Sequence, residues 1–367
     1  MTLEPATPMS APNIKLSLAM IVKNEARCLA RCLRSVESIV NEIIVVDTGS
    51  TDGTAALAEE FKAKVFHFDW CEDFSIARNF ALAQATGHWI LVLDADETVT
   101  SELAREIQQF IQGQPRIGRL KVVSDFNRNG QLFKSQAFVS RLFPAGVSFA
   151  GRIHEQLVSA LPRVNLAGEL SHDGYLVTNK SDRNVKMLRG ELEHDPQNAY
   201  LLHQLALEYT SLDRPGDAFP CLQQAYRSLQ PSDPSAPNVV VDLIYTAMKL
   251  KDFLPALAVI KAMEKPLADF PDFFLVRGLF FMELIRTDTA RYISELPKVE
   301  QSFQRSLILG ETDKYKSVHG SGSFLAGYNL GIYYHVLGNS DGARRCFESA
   351  ANLGYAPAQA MLQKLAA

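Results

Sequence analysis

The N-terminal part of the chain alternates short apolar runs with helix-forming stretches, and this alternation restricts the fold more than any other feature of the sequence. Such alternation is typical of a parallel sheet whose strands are joined by right-handed helical crossovers. The first strand runs into Lys23, Asn24 and Glu25 and not into a GxGxxG loop, which disfavours a dinucleotide-binding domain. The alternating elements, in order, are LSLAMIV, a helix near 26–38, EIIVVD, a helix near 54–61, KVFHF, a helix near 74–85 and the strand HWILVLDADE at 88–97.

The last of these strands ends in two carboxylates spaced i and i+2, Asp94 and Asp96. The continuous apolar run at 89–93 is typical of a strand buried on both faces of a parallel sheet. Side chains two residues apart on a strand share a face, so both carboxylates are expected to point the same way. Ligands bind at the carboxyl ends of strands in open α/β sheets, and hard oxygen ligands suit Mg²⁺ or Mn²⁺ carrying a diphosphate. The alternative for so short a motif is a solvated turn.

Length and composition restrict the possible classes of protein. The chain has 367 residues, enough for two domains, and its 47% hydrophobic and 21% charged residues are ordinary for a soluble globular protein. A formal net charge of -4 gives no basic field, so nucleic acid is not expected as a partner. No apolar stretch reaches the roughly 20 residues that cross a bilayer, so any membrane association would be peripheral.

Two further features predict a cytoplasmic protein. The five cysteines are scattered, without zinc spacing, which favours a reducing compartment. Residues 1–14 are Pro-rich and lack the basic start and apolar core of a signal peptide, so they are predicted to be a disordered lead-in. Cys28 and Cys32, spaced i and i+4 on a helix, are predicted to be packing residues.

The character of the chain changes twice after the first domain. Runs around 119–143 flank Asn129-Gly130, a strong hairpin signal, and we expect these strands to extend the sheet. From about residue 185 the pattern is helical and repeats with tetratricopeptide spacing, with degraded copies near 244–263 and 278–306, the latter with an insertion. Small residues let two helices approach while aromatic residues fill the gap, and such repeats stack into a solenoid. The positions that match are Leu205, Ala206, Tyr209, Ala218, Leu222 and Ala225, then Leu330, Gly331, Tyr334, Gly338, Ala343, Phe347 and Ala350.

Four ordered blocks in the first domain resemble the N-terminal half of family 2 glycosyltransferases. The blocks are SLAMIVKNEARCLARCLRSV, NEIIVVDTGSTDGT, DFSIARNFAL and WILVLDADE. The resemblance covers residues 16–178, and the repeats are similar to those that follow the catalytic domain in a subgroup of these enzymes. It implies an α/β, Rossmann-like, mostly parallel sheet of the GT-A fold at 15–180. An all-α tetratricopeptide-like helical repeat domain is expected at 185–367.

Donor-binding residues are expected at the ends of the first strands and on the third helix. Asp47 ends the second strand, where its carboxylate could accept hydrogen bonds from a uracil or ribose; the alternative is a turn or helix-capping residue. Lys23 and Glu25 could frame the nucleotide, or simply open a helix. Arg78 could meet the diphosphate or be a solvated helix residue, and the resemblance favours donor binding.

The metal is expected to bind Asp94 and Asp96, with Asp96 the stronger direct ligand and Asp94 also serving the donor. Glu97 is expected to start the following turn. His172, in SHDGY, resembles the family histidine that completes the metal site, and a neutral imidazole is a competent ligand. His154, in GRIHEQL, is the competing candidate.

Glu155 is the candidate general base. In an inverting transfer the acceptor attacks from the face opposite the nucleotide, so a carboxylate must take its proton while the metal stabilises the leaving diphosphate. The alternative for Glu155 is an exposed charge at a strand end.

These residues together indicate a metal-dependent inverting glycosyltransferase that uses Mn²⁺ or Mg²⁺ and a nucleotide-sugar donor, expected to be UDP-linked. The acceptor could be a glycan, a lipopolysaccharide core, a peptide or a protein, and the repeats could form a homodimer. The alternative is a tetratricopeptide scaffold whose transferase-like domain is inactive and only binds nucleotide. A nucleotidyltransferase is disfavoured because no Gly-rich triphosphate loop follows the first strand.

Overall fold

The computed structural model describes residues 14–128, 131–172, 181–230 and 233–366. These residues form two compact units. Unit 1 contains residues 14–124 and 138–172, and unit 2 contains 125–128, 131–137, 181–230 and 233–366. The predicted turn at 129–130 and nearly all of the predicted lead-in at 1–14 lie outside the described residues.

Unit 1 is built on a mixed, mostly parallel sheet, which confirms the predicted fold class. The elements are β1 Leu16–Val22, α1 Leu29–Val36, β2 Glu42–Asp47, α2 Thr54–Glu60, β3 Lys64–His67, α3 Phe74–Gln84, β4 Trp89–Val92, β5 Glu97–Val99, α4 Ser101–Phe110, β6 Ile117–Arg128, β7 Gln131–Pro144, β8 Ser148–Ala150, β9 Gln156–Val158 and β10 Arg163–His172. The strand order of the sheet is β3-β2-β1-β4-β7-β6-β10-β5. The pairs β1–β2, β2–β3, β1–β4 and β6–β10 are parallel, whereas β4–β7 and β10–β5 are antiparallel, and β8 pairs with β9 in a separate ribbon.

The core lies on both faces of the central strands. All four residues of β4 are buried, as its unbroken apolar run predicts. Leu91 packs into a cluster that includes Leu29 and Leu33 of α1, whereas Ile90 packs on the other face with Ala81 of α3. The predicted packing role of Cys28, which directly precedes α1, and of Cys32 on α1 is confirmed, since they are 1% and 0% exposed.

The strand at 88–97 is shorter than predicted. It ends at Val92, and a turn at 95–96 leads into β5, which begins at Glu97. The alternating geometry of a strand therefore does not apply to Asp94 and Asp96, and the expectation that they share a face for that reason is wrong.

Unit 2 stacks antiparallel helices in the predicted repeat pattern. Gly278 faces the ring of Phe303, and Gly331 faces that of Phe347, so closely that a Cβ on either glycine would lie 2.5 or 2.6 Å from the ring. The expected insertion is present, since a short helix at Thr289–Tyr292 and a 3-10 turn at Ile293–Glu295 separate the helix Pro271–Thr287 from the helix Leu296–Leu309. The elements are α5 Ser181–His194, α6 Ala199–Ser211, α7 Pro215–Ser228, α8 Ala236–Leu250, α9 Phe253–Met263, α10 Pro271–Thr287, α11 Thr289–Tyr292, α12 Leu296–Leu309, β11 Ser317–Val318, α13 Phe324–Val336, α14 Ser340–Asn352 and α15 Ala356–Ala366.

Unit 2 also includes the outer end of the β6–β7 pair. There β11 runs antiparallel to β7, with Ser317 opposite Gln136 and Val318 opposite Ser135. Gln136 is 7% exposed, and its amide donates to the carbonyl of Thr312 at 3.2 Å. A two-residue strand between helices thus covers part of the edge of β7. Within the described residues, no helix has the length and apolar character needed to cross a membrane.

Candidate functional site

The turn after β4 places Asp94 between two arginines. Its Oδ1 accepts from Arg78 Nη2 at 2.9 Å, and its Oδ2 accepts from Arg141 Nη2 at 2.6 Å. The carboxylate is 36% exposed, whereas the two arginine side chains are 9% and 12% exposed. Of these three side chains, Asp94 is therefore the most accessible, and its carboxylate is held in place by two largely buried arginines.

Arg78 links Asp94 to Glu155. It lies on α3, whose first turn is capped by Asp73, and its Nε donates to Glu155 Oε1. The partner of α3 in this region is the β8–β9 ribbon. Asn79, the next residue on α3, both donates to the carbonyl of Phe149 at 2.9 Å and accepts from its N–H at 2.8 Å. Two neighbouring positions of one helix thus fix the loop that carries Glu155, whose side chain is 11% exposed.

Arg141 and Glu97 complete this charged group, and neither was predicted as a site residue. Arg141 Nη2 also donates to Glu97 Oε1 at 2.6 Å, and Glu97 Oε2 accepts from the backbone N–H of Asp94 at 2.8 Å. The expectation that Glu97 starts the turn is wrong, since it follows the turn at 95–96 and begins β5, and its side chain is only 1% exposed. The only sequence signal for Arg141 is a charge directly before the buried residues Leu142 and Phe143.

Burial and charge act against each other on the pKa values of this group. Burial alone would raise the pKa of Asp94, but the charges and hydrogen bonds of Arg141 and Arg78 outweigh it and hold that pKa well below its usual range. The pKa of Glu97 is raised, because burial and the nearby Asp94 outweigh the opposing charge of Arg141. Burial lowers the pKa of each arginine, but the neighbouring carboxylates prevail and raise it. Both arginines therefore remain charged.

Asp96 lies beside His172, as the metal-site prediction requires. Asp96 Oδ2 and His172 Nε2 are 3.5 Å apart, and each side chain is 14% exposed. His172 is the last residue of β10, which lies between β5 and β6 and pairs His172 with both Glu97 and Ser124. Ser124 Oγ lies 3.2 Å from His172 Nδ1, so a proton on Nδ1 would leave the Nε2 lone pair facing Asp96.

The pKa of His172 is raised above its usual value. Burial would lower it, but the hydrogen bond and charge of Asp96, with the charges of Glu97 and Asp94, act more strongly in the opposite direction. A carboxylate oxygen and an imidazole nitrogen at this separation could both ligate one divalent cation, and this mixed pair suits Mn²⁺ better than Mg²⁺, which prefers oxygen ligands.

The three predicted metal ligands are divided between two settings. Asp96 and His172 face each other, whereas both oxygens of Asp94 accept hydrogen bonds from arginines. Across the described parts of the chain, no group of three or more His, Cys, Asp and Glu side chains is arranged to hold a metal ion. The competing histidine, His154, has a left-handed backbone with φ 53°, and its carbonyl accepts from Gln156.

The loops after β1 and β2 are joined by hydrogen bonds. The Asn24 N–H donates to Ser50 Oγ at 2.9 Å, and Asn24 Oδ1 accepts from the Thr51 N–H at 2.8 Å. The Glu25 N–H donates to Thr54 Oγ1 at 2.8 Å. Because β1 and β2 are parallel neighbours, both loops lie at the same edge of the sheet.

The predicted nucleotide residues differ in exposure. Asp47, at the end of β2, is 3% exposed and accepts from the Ser50 N–H at 3.0 Å, as a turn residue would. Lys23 is exposed, and Glu25 is half-buried. Asp47 therefore stabilises the loop that follows β2. Lys23, in the loop after β1, is exposed to solvent.

Comparisons with known proteins give a family match and several relatives. Residues 17–148 match the family described as Glycosyl transferase family 2. A TPR repeat-containing protein of Synechococcus elongatus is 47% identical over 135 residues, or 37% of this chain and 33% of that protein. The SPbeta prophage-derived glycosyltransferase SunS of Bacillus subtilis is 30% identical over 225 residues, or 57% of this chain and 53% of SunS. The aligned parts thus span a third to about half of these relatives.

Among solved structures, the crystal structure of MamA resembles part of this chain. It is 17% identical with a TM-score of 0.38, and the match covers 49% of this chain and 91% of MamA.

Proposed function

We propose that this chain, whose residues 17–148 belong to glycosyltransferase family 2, is a metal-dependent inverting glycosyltransferase with a nucleotide-sugar donor, UDP-linked. The observation that carries the proposal is the arrangement at the carboxyl end of β4. Asp96 lies beside His172, and Asp94 is joined through Arg78 to Glu155. These side chains would place a metal–diphosphate site next to a base.

Asp96 and His172 would hold Mn²⁺ or Mg²⁺, with Asp94 beside them. When bound, the cation would neutralise the diphosphate and so make it a better leaving group. Ser124 would keep the ring of His172 oriented toward Asp96. Arg78 would contribute positive charge toward the diphosphate. Its hydrogen bond to Asp94 would keep the guanidinium and the carboxylate in a fixed relative position.

The nucleotide would lie at the edge formed by the loops after β1 and β2. Asp47, Lys23 and Glu25 are the candidate contacts to its base and ribose. The hydrogen bonds from Asn24 and Glu25 to the second loop would hold that edge in shape before the donor arrives.

Glu155 would take the proton of the attacking acceptor hydroxyl. Arg78 directs one carboxylate oxygen of Glu155, and the loop itself is tied to α3 through Asn79. A base fixed in this way loses little orientation entropy when the acceptor binds, which favours proton transfer in the transition state.

The acceptor would be a glycan, a lipopolysaccharide core, a peptide or a protein. We propose that catalysis belongs to residues 15–180 and that the repeats from 185 onward bind the acceptor or a second copy of the chain, in the cytoplasm. Stacked repeats present extended surfaces suited to peptides, which favours a polypeptide acceptor.

Donor hydrolysis by the purified chain tests the proposal. A panel of nucleotide sugars with Mn²⁺ should give nucleoside diphosphate for at least one donor, and excess EDTA should stop its release. Release of pyrophosphate would instead indicate a nucleotidyltransferase. Release of neither product would favour the alternative, a tetratricopeptide scaffold with an inactive transferase-like domain.

A further inference from the structure

We infer that Arg141, held by the buried Glu97, is a positioning residue that fixes Asp94 for donor binding. The inference rests on the proposed function and adds residues that neither the sequence patterns nor the comparisons assign.

Arg141 joins two carboxylates through one nitrogen. Its Nη2 lies 2.6 Å from Asp94 Oδ2 and 2.6 Å from Glu97 Oε1. Arg141 lies on β7, whereas Asp94 follows β4 and Glu97 begins β5. One side chain thus connects β7 to both ends of the 94–97 turn, at the strand end where the donor is expected.

Glu97 holds Asp94 by a second route. Its Oε2 accepts from the backbone N–H of Asp94 at 2.8 Å, while its Oε1 holds the arginine that holds the Asp94 carboxylate. The main chain and the side chain of Asp94 are therefore both fixed by the same buried carboxylate. This is the arrangement by which an outer residue sets the direction of an inner one.

A role in stability alone does not account for these charges. Buried ion pairs add little to stability on average, and apolar residues of similar volume often replace them at no cost. Glu97 is 1% exposed and Arg141 12%, yet the carboxylate that they hold is 36% exposed. Two covered charges thus serve to orient one accessible charge.

A double variant separates positioning from stability. Arg141→Met alone would leave Glu97 buried without its cation, so its loss of stability would hide any other effect. Combining it with Glu97→Gln removes both charges, and the glutamine oxygen can still accept from the Asp94 N–H. The double variant should melt within a few degrees of the wild type.

Donor binding should nevertheless be impaired in that double variant. We expect the calorimetric Kd for UDP with Mn²⁺ to rise at least about 10-fold and kcat/KM for donor hydrolysis to fall about 10²-fold, because small errors of placement are costly in a catalytic site. Arg141→Lys, which keeps the charge but loses the planar guanidinium, should give an intermediate loss.

A cycle with Asp94→Asn gives a readout that a purely structural role would not change. If Arg141 acts through Asp94, adding Asp94→Asn to the double variant should cost little beyond either change alone. If the fold-losses in kcat/KM caused by Asp94→Asn and by the double variant simply multiply in the combined variant, the two act independently and the inference is contradicted.

The control is the ion pair in unit 2 between Arg277, whose side chain is 7% exposed, and Glu264, whose side chain is 50% exposed; the two lie 3.1 Å apart. Arg277→Met with Glu264→Gln also removes a covered arginine and its carboxylate partner, and it should leave the Kd for UDP within about twofold of the wild type.

Wild-type UDP affinity and turnover in the Arg141–Glu97 double variant would overturn the inference and leave the proposed function standing. If that variant fails to fold, Arg141→Lys decides, since unchanged kcat/KM in it would also overturn the inference. A wild-type chain that binds no UDP, GDP or other nucleoside diphosphate would overturn the proposed function and the inference with it.

Discussion

One group of interacting side chains in unit 1 and one in unit 2 are opposite in kind. At the strand ends of unit 1 the charges alternate in sign from Glu97 through Arg141, Asp94 and Arg78 to Glu155. In unit 2, neighbouring helices approach each other through contacts between glycine and phenylalanine, as in Gly278 with Phe303 and Gly331 with Phe347.

This difference indicates which property of the protein a substitution in each group would change. A chain of buried charges fixes directions, and losing one member leaves another uncompensated. A glycine–aromatic contact fixes only a distance, and its disturbance changes stability and not chemistry. Substitutions in the two units should therefore affect different measured quantities.

The largest expected effect belongs to Glu155→Gln. It keeps the size of the side chain and a hydrogen bond from Arg78 but removes the basic group, so sugar transfer should fall by about 10²–10⁴. Donor affinity, measured by calorimetry with UDP-sugar and Mn²⁺, should stay near the wild-type value because the base acts on the acceptor. Transfer at the normal rate would exclude the base role, and a parallel loss of donor affinity would make Glu155 an anchor for Arg78 instead.

Gly278→Ala should affect unfolding alone. Its Cβ would lie 2.5 Å from the Phe303 ring, which is fully buried, so we expect a loss of about 1–3 kcal/mol in the free energy of unfolding. Gly190→Ala on α5 is the matched control, since a Cβ there meets nothing within 4 Å and should be neutral or slightly stabilising. Denaturant titration measures both variants. Equal stabilities would mean that the close helix contact is absent, and impaired donor hydrolysis in a folded Gly278→Ala would contradict the separation of roles.

Glu42 shows that a carboxylate in unit 1 can also serve stability alone. Burial would raise its pKa, but hydrogen bonds from Ser17, Thr86 and Lys64 outweigh that effect and lower its pKa to about 2. Because the pKa is lower in the folded state, the stabilisation is complete above about pH 4.5 and is lost as the pH falls toward 2.

Glu42→Gln should therefore lower the free energy of unfolding by about 1–2 kcal/mol at pH 6, with the difference shrinking below about pH 4.5. Glu169→Gln is the control, since its carboxylate is 53% exposed and 3.9 Å from Lys121; it should change stability by less than about 0.5 kcal/mol. A Glu42→Gln difference that does not vary with pH would show that the charge is not the cause.

Local sequence patterns predicted what local interactions determine. The apolar runs predicted β1, β2 and β4, because the apolar side chains of each strand are what the core buries. The spacing of small and aromatic residues predicted the helix pairs of unit 2. The pattern failed at Asp94 and Asp96, where a turn replaces the strand after Val92.

Long-range pairings could not be derived from spacing. His172 meets Asp96 because β10 lies between β5 and β6, and only resemblance to a family indicated that histidine. Nothing in the sequence around Arg141 distinguishes it from other charged strand residues, because it reaches Asp94 only through the pairing of β7 with β4. The pairing of β11 with β7, which joins residues 131–137 to unit 2, likewise depends on segments far apart in the chain.

We propose that Asp96 and His172 bind a cation that the donor diphosphate requires. Calorimetry of UDP binding to the wild type and to Asp96→Asn, each with Mn²⁺ and with EDTA, tests this proposal directly. We expect Mn²⁺ to strengthen UDP binding to the wild type at least about 10-fold and to leave Asp96→Asn at the metal-free affinity. Equal UDP affinity of the wild type with Mn²⁺ and with EDTA, or an undiminished Mn²⁺ effect in Asp96→Asn, would contradict it.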